Sequence, residues 1–105
     1  MTIKTTQKQK LAIMDLLKSL KDFSDRRYGS VNEIVILTNK MLPNVVLVKY
    51  EKSFVTAGER DYEYKIASID QEGNIEFIDS KFKDVFDRSA FLSECKSINI
   101  EDLIQ

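Results

Sequence analysis

The hydrophobic period of this chain changes partway along it, and nothing else in the sequence constrains the fold as much. From residue 6 to about 23, Ile13, Leu16, Leu17, Leu20 and Phe23 recur at steps of three and four, the spacing of one side of a helix. From Asn44 the step becomes two: Val46, Val48, Tyr50 and Phe54 fall on one strand face, with Lys49, Glu51 and Ser53 on the other. A helical pattern cannot sit as a strand, nor the reverse, so the chain must combine helix and sheet. Thr6 followed by Gln9 fits a capping box and starts the first helix.

Between those two regimes lies an ambiguous segment. Ile34, Val35 and Ile36 are a β-branched run that suits a buried strand. Against that, Ser30 and Glu33 form a second capping box, Val31, Ile34, Val35, Thr38 and Met41 keep helical spacing, and Pro43 supplies a stop. Two helix signals oppose one strand signal, so residues 31–41 are expected to be helical, with the strand left as the alternative.

The strands that follow are separated by turn chemistry. Residues 57–60 contain Gly58, and Gln71, Glu72, Gly73 and Asn74 form a second turn. Between them, Tyr62, Tyr64 and Ile66 share one side of a strand over residues 61–69, with Asp61, Glu63 and Lys65 opposite; residues 75–78 make a third short strand. Two tight connections in succession predict a three-stranded antiparallel meander. Asp79 or Ser80 can then cap a C-terminal helix carrying Phe82, Val85, Phe86 and Ala90, although Phe91, Leu92 and Cys95 fall on other sides of its wheel. Either that helix is buried on most sides or it breaks near Asp87. Residues 99–105, with Asn99 as a cap, can add a terminal turn.

The expected architecture is a single two-layer α+β domain over residues 1–105, in the order α-α-β-β-β-α. Helices cover one sheet face, and the other face is wet, displaying Lys49, Glu51, Asp61, Glu63 and Lys65. A chain of 105 residues, 43% hydrophobic and 31% charged, is long enough for one core. No apolar run approaches the roughly 20 residues that cross a bilayer, and the N-terminal stretch is broken by Asp15 and Lys18. The single cysteine, Cys95, cannot close an internal disulfide and reads as a partly buried helix residue, which points to a cytoplasmic protein.

Composition also narrows the chemistry. With no histidine and one cysteine, the commonest general base, the commonest metal ligand and a thiolate zinc site all drop out, and no metal, cofactor or enzymatic activity is expected. Gly29, Gly58 and Gly73 are isolated, so no phosphate-cradling loop is present. Asp84 with Asp87, and Asp61 with Glu63, are spaced to share a face and could in principle hold Mg²⁺, but such pairs are common on solvated surfaces. Residues 70–74 superficially suggest a calcium loop. Its glycine comes at the fourth position rather than the sixth, and the twelfth position is Lys81.

Charge is divided unevenly. Residues 1–50 hold nine Lys/Arg against four Asp/Glu, and residues 51–105 seven against thirteen, so the halves carry +5 and −6. The acidic half suggests docking onto a basic protein through Glu59, Asp61, Glu63, Glu72, Glu76, Asp79, Asp84 and Asp87. A non-catalytic interaction module or inhibitor is the first reading, and a phage- or mobile-element-encoded inhibitor is one version of it. The alternative is nucleic-acid binding by a ridge of Lys10, Lys18 and Lys21, continued by Arg26 and Arg27 with Tyr28 as a stacking group. An uncovered sheet face or edge could also pair with a second copy.

Overall fold

A computed structural model describes residues 5–24, 29–99 and 101. Helix α1 spans Gln7–Ser24, followed by strands β1 (Gly29–Asn39), β2 (Leu42–Thr56), β3 (Glu59–Ile69) and β4 (Ile75–Phe77). A 3₁₀ turn at Asp79–Lys81, helix α2 (Val85–Ser93) and strand β5 (Cys95–Ile98) follow. The fold is α+β, with one five-stranded sheet in the order β4-β3-β2-β1-β5. All its pairings are antiparallel.

The start of α1 follows from its cap. Gln9 N–H donates to Thr6 Oγ1 at 3.1 Å, and Thr6 N–H donates to Gln9 Oε1 at 3.3 Å, the reciprocal bonds of a capping box. Gln9 is buried, and its Nε2 donates to the carbonyls of Ile69 at 2.9 Å and Asn44 at 3.2 Å. One side chain thus starts the helix and fastens it to the sheet.

The expected second helix over residues 31–41 is instead β1, and the order is α-β-β-β-β-α-β. Asn32 pairs with Glu51 and Val35 with Lys49, so Glu33 and Ile34 together oppose Tyr50. This bulge, with Glu33 at φ 56°, inserts an extra residue into the alternation. Interrupted in that way, a period of two imitates helical spacing. β1 has β2 on one side and β5 on the other at its C-terminal end, so Ile36 and Leu37 are buried on opposite faces and no helical stripe is required. Pro43 ends no helix: β1 and β2 close at Asn39 and Leu42, and Pro43 lies in the irregular stretch just beyond, where a missing N–H does no harm.

The alternation within β2 and within β3 is as the sequence reads, but the two apolar sets do not share a face. Val48 pairs with Ala67, Tyr50 with Lys65 and Ser53 with Tyr62. Tyr62, Tyr64 and Ile66 therefore stand beside Lys49, Glu51 and Ser53. No wet face results over the packed part of the sheet. On one face Ile13 and Leu20 of α1 pack with Ile36, Val46, Val48, Tyr50, Ala67 and Ile69. On the other, Leu37, Leu47 and Ile66 meet Ile78, Phe82, Phe91 and Leu92 from the segment around α2. The expected two layers are three.

The C-terminal segment breaks earlier than residue 87, into the 3₁₀ turn and α2. Asp84, not Asp79 or Ser80, is the helix cap: Asp87 N–H donates to Asp84 Oδ1 at 2.8 Å, and Lys83 N–H donates to Asp87 Oδ2 at 3.2 Å. Cys95 opens β5 rather than lying in a helix. The proposed terminal turn falls almost wholly outside the described residues.

Candidate protein-interaction surface

The eight acidic residues singled out in the sequence do not form one surface. Glu59, Asp61 and Glu63 do lie together, because they occupy alternate positions of β3 and so share the α1 face. Glu63 pairs with Lys52, whose Nζ sits 4.7 Å from the centre of the Phe23 ring near the end of α1. Asp61 and Glu59 continue outward from there and are exposed. A two-residue turn at Ala57 and Gly58 closes this arm, with φ of 53° and 82°, the signs that a type I′ hairpin requires.

Glu63 is also ion-paired, 3.5 Å from Lys65 Nζ, and the other five acids are committed locally as well. Glu72 pairs with Lys8 at 3.2 Å and Glu76 with Lys81 at 2.6 Å, both on the surface. Asp79 accepts from the Ile66 N–H at 3.3 Å and lies 3.7 Å from Lys65 Nζ. Asp84 and Asp87 form the α2 cap, so their spacing serves backbone N–H groups rather than a metal. Among the described residues no group of three His, Cys, Asp or Glu side chains is placed to hold a metal ion. Glu72 sits just beyond β3's inner end, and β3's rise puts the outer end roughly 34 Å away.

Residues 70–74 are a turn organised by Asp70. Its Oδ1 accepts from the N–H groups of Glu72 and Asn74, each at 2.9 Å. These bonds, that of Asn74 above all, hold its carboxyl below the ordinary value. The Cys95 thiol, in contrast, is pushed up by burial and stays a thiol.

Two features of the arm were not foreseen. Ser53, 1% exposed, accepts from Arg60 Nη1 at 3.0 Å and shares a 2.7 Å hydrogen bond with Ser30 Oγ, so a small polar cluster holds β1, β2 and β3 together where apolar packing has ended. On the same face the Arg88 guanidinium lies 4.3 Å from the centre of the Tyr64 ring. Burial raises the Tyr64 hydroxyl pKa; the Arg88 charge lowers it in opposition, and Glu33 and Glu51 raise it again. Neither cluster is visible without the strand register. A cavity of about 440 Å³ is lined by Leu42, Val45, Phe82 and Phe91, together with Asp70 and Glu76.

The basic ridge is partly visible. Lys18 and Lys21 are exposed on α1, and Lys10 is half-buried. Exposed Met14 falls within the same arc of the helix, and Leu11, Asp22 and Asp15 border it on one side. Arg26, Arg27 and Tyr28 lie outside the described residues. No described helix is long and apolar enough to cross a membrane. The chain matches no protein-family model, no curated protein and no solved structure.

Proposed function

We propose that this protein is a non-catalytic interaction module that takes a basic protein partner on the acidic arm of β3. The observation that carries this reading is the placement of Glu59, Asp61 and Glu63 on one face of one strand, at the end of the sheet beyond the buried core. Glu63 is partly offset by Lys65 at 3.5 Å, so the exposed Glu59 and Asp61 supply most of the negative field that steers a cationic surface and sets its orientation. An inhibitor that presents carboxylates to a basic site is one form of this activity. The lysine ridge of α1 supports the nucleic-acid reading less, because apolar Met14 interrupts it and Asp15 and Asp22 border it.

Parallel affinity capture from the source cell, with the wild type and with Asp61→Lys/Glu63→Lys, tests the reading. A partner retained by the wild type and lost by the equally stable double variant is the expected result. A partner held equally by both overturns it, as does salt-sensitive capture of nucleic acid that requires Lys18 and Lys21.

A further inference from the structure

We propose that the outer edge of β3 is a strand-addition site whose occupant is an extended peptide segment with alternating basic and apolar residues. The inference rests on the interaction-module reading and specifies the partner's form.

In an antiparallel sheet, alternate residues direct both N–H and C=O toward the same neighbouring strand. Ile66 directs both outward: its carbonyl accepts from Ile78 N–H at 3.0 Å, and its N–H donates to Asp79 Oδ1 at 3.3 Å. Tyr64, Tyr62 and Arg60 share its parity, so their N–H and C=O groups face the same side. β4 pairs only with Ala67, Ser68 and Ile69, and no described strand pairs with residues 59–65 on that side. The Asp79 carboxylate, standing where the next strand acceptor would be, marks the inner limit of the open edge.

The other edges are blunted and this one is not. β1 is interrupted by the bulge at Glu33 and Ile34, β4 has 3 residues and β5 has 4. β3 keeps an unbroken register with β2 from Glu59 to Ile69, which leaves a regular row of donors and acceptors along its outer side.

Side chains on either face of that row specify the occupant. An added strand would set alternate side chains beside Glu59, Asp61 and Glu63 on the α1 face, where Lys or Arg is complementary. The intervening ones would lie beside Arg60, Tyr62 and Tyr64, where apolar or aromatic groups fit; Tyr62 is 64% exposed. Charge disfavours a second copy in the antiparallel registers centred on residue 60 or 61, which set Glu59 against Asp61, or Asp61 against itself and Glu59 against Glu63. Centred on 62 or 63, the repulsion of Asp61 with Glu63 or of Glu63 with itself is opposed by Lys65 facing Glu59 or Asp61, so the concentration dependence of amide protection is what tests a second copy there.

The probe is a labelled, end-capped Lys-Val-Lys-Val-Lys-Val-Lys peptide, titrated into the full chain by fluorescence anisotropy, with two N-methylated analogues. Methylating the valines blocks an antiparallel strand, and methylating the lysines blocks a parallel one. Strand addition predicts that one analogue, not both, binds at least about tenfold more weakly. It also predicts that the Arg60, Tyr62 and Tyr64 amides gain hydrogen-exchange protection from the parent peptide. Equal binding of all three peptides, abolished by Asp61→Lys/Glu63→Lys, overturns strand addition and leaves the acidic-surface reading standing. No binding by any of them at about 1 mM, a weak limit for one module, overturns both. Protection of the same three amides that rises with protein concentration alone overturns the peptide occupant in favour of a second copy.

Discussion

β2 and β3 run the length of the sheet as partners, yet their two ends are built from different material. At the inner end Val46, Leu47, Val48, Ile66, Ala67 and Ile69 are buried almost completely, and α1 and the α2 segment cover opposite faces. At the outer end the facing pairs are Lys52 with Glu63, Ser53 with Tyr62 and Phe54 with Asp61. One pair of strands thus anchors the core and carries an arm out of it. The arm is held by backbone pairing, the Ser30–Ser53–Arg60 cluster and a tight turn instead of by apolar burial. A surface of this kind can keep a regular free edge without loosening the core.

The largest expected effect comes from truncating both ends alike. Leu47→Ala removes a side chain with 0% exposure and should cost about 3 kcal/mol in denaturant unfolding. Val55→Ala, at a position 37% exposed on the arm, should cost less than about 1 kcal/mol. Similar losses at both sites would break the distinction between core and arm.

The two turns should differ in the same way. Gly73 has φ 83°, and a Cβ there would lie 2.8 Å from the Lys8 carbonyl oxygen, so α1 rests directly on this turn. Gly73→Ala should therefore cost about 2 kcal/mol, combining left-handed strain with displacement of the helix start. Ala57 also has positive φ, but open space surrounds the neighbouring Gly58 at the tip. Ala57→Asn, which suits a type I′ turn, should raise stability by about 0.5–1 kcal/mol and leave the core spectrum unchanged.

The smallest effect is electrostatic and belongs to the inner turn. The folded Asp70 carboxyl lies below its unfolded value, so its contribution is fully present above the unfolded value and is lost as pH falls through the folded one. The stability gap between wild type and Asp70→Asn should close below about pH 4. A gap that stays constant down to low pH would mean that the Asp70 bonds to Glu72 and Asn74 do not depend on charge.

Much of the fold was legible before the structure. The α1 cap, the alternations of β2 and β3 and the turns at Gly58 and Gly73 all stand where the residues place them. The wrong expectation of one apolar face had a remedy in the sequence itself. Val46, Val48, Tyr50 and Phe54 are all even-numbered, and so are Tyr62, Tyr64 and Ile66. An even-length hairpin loop pairs even residues with odd ones, so the two sets had to face opposite ways. β1 offered no such remedy, because the bulge at Glu33 erased its period. Of the candidate site, Asp61 and Glu63 were legible as neighbours on one strand face, whereas Glu59 read as part of the turn. Their separation from Glu72, Glu76, Asp79, Asp84 and Asp87 was not legible, since those five are held by groups that only folding brings near, or by a helix cap placed differently.

By itself, then, the sequence determined which residues share a side within each element, because that depends on bond geometry over a few residues. Tertiary structure decided which sides meet across strands, whether residues 31–41 extend or coil, and which backbone edge stays open. Those outcomes depend on register and on burial supplied by distant segments, and local propensities near Ser30, Glu33 and Pro43 are too weak to oppose them.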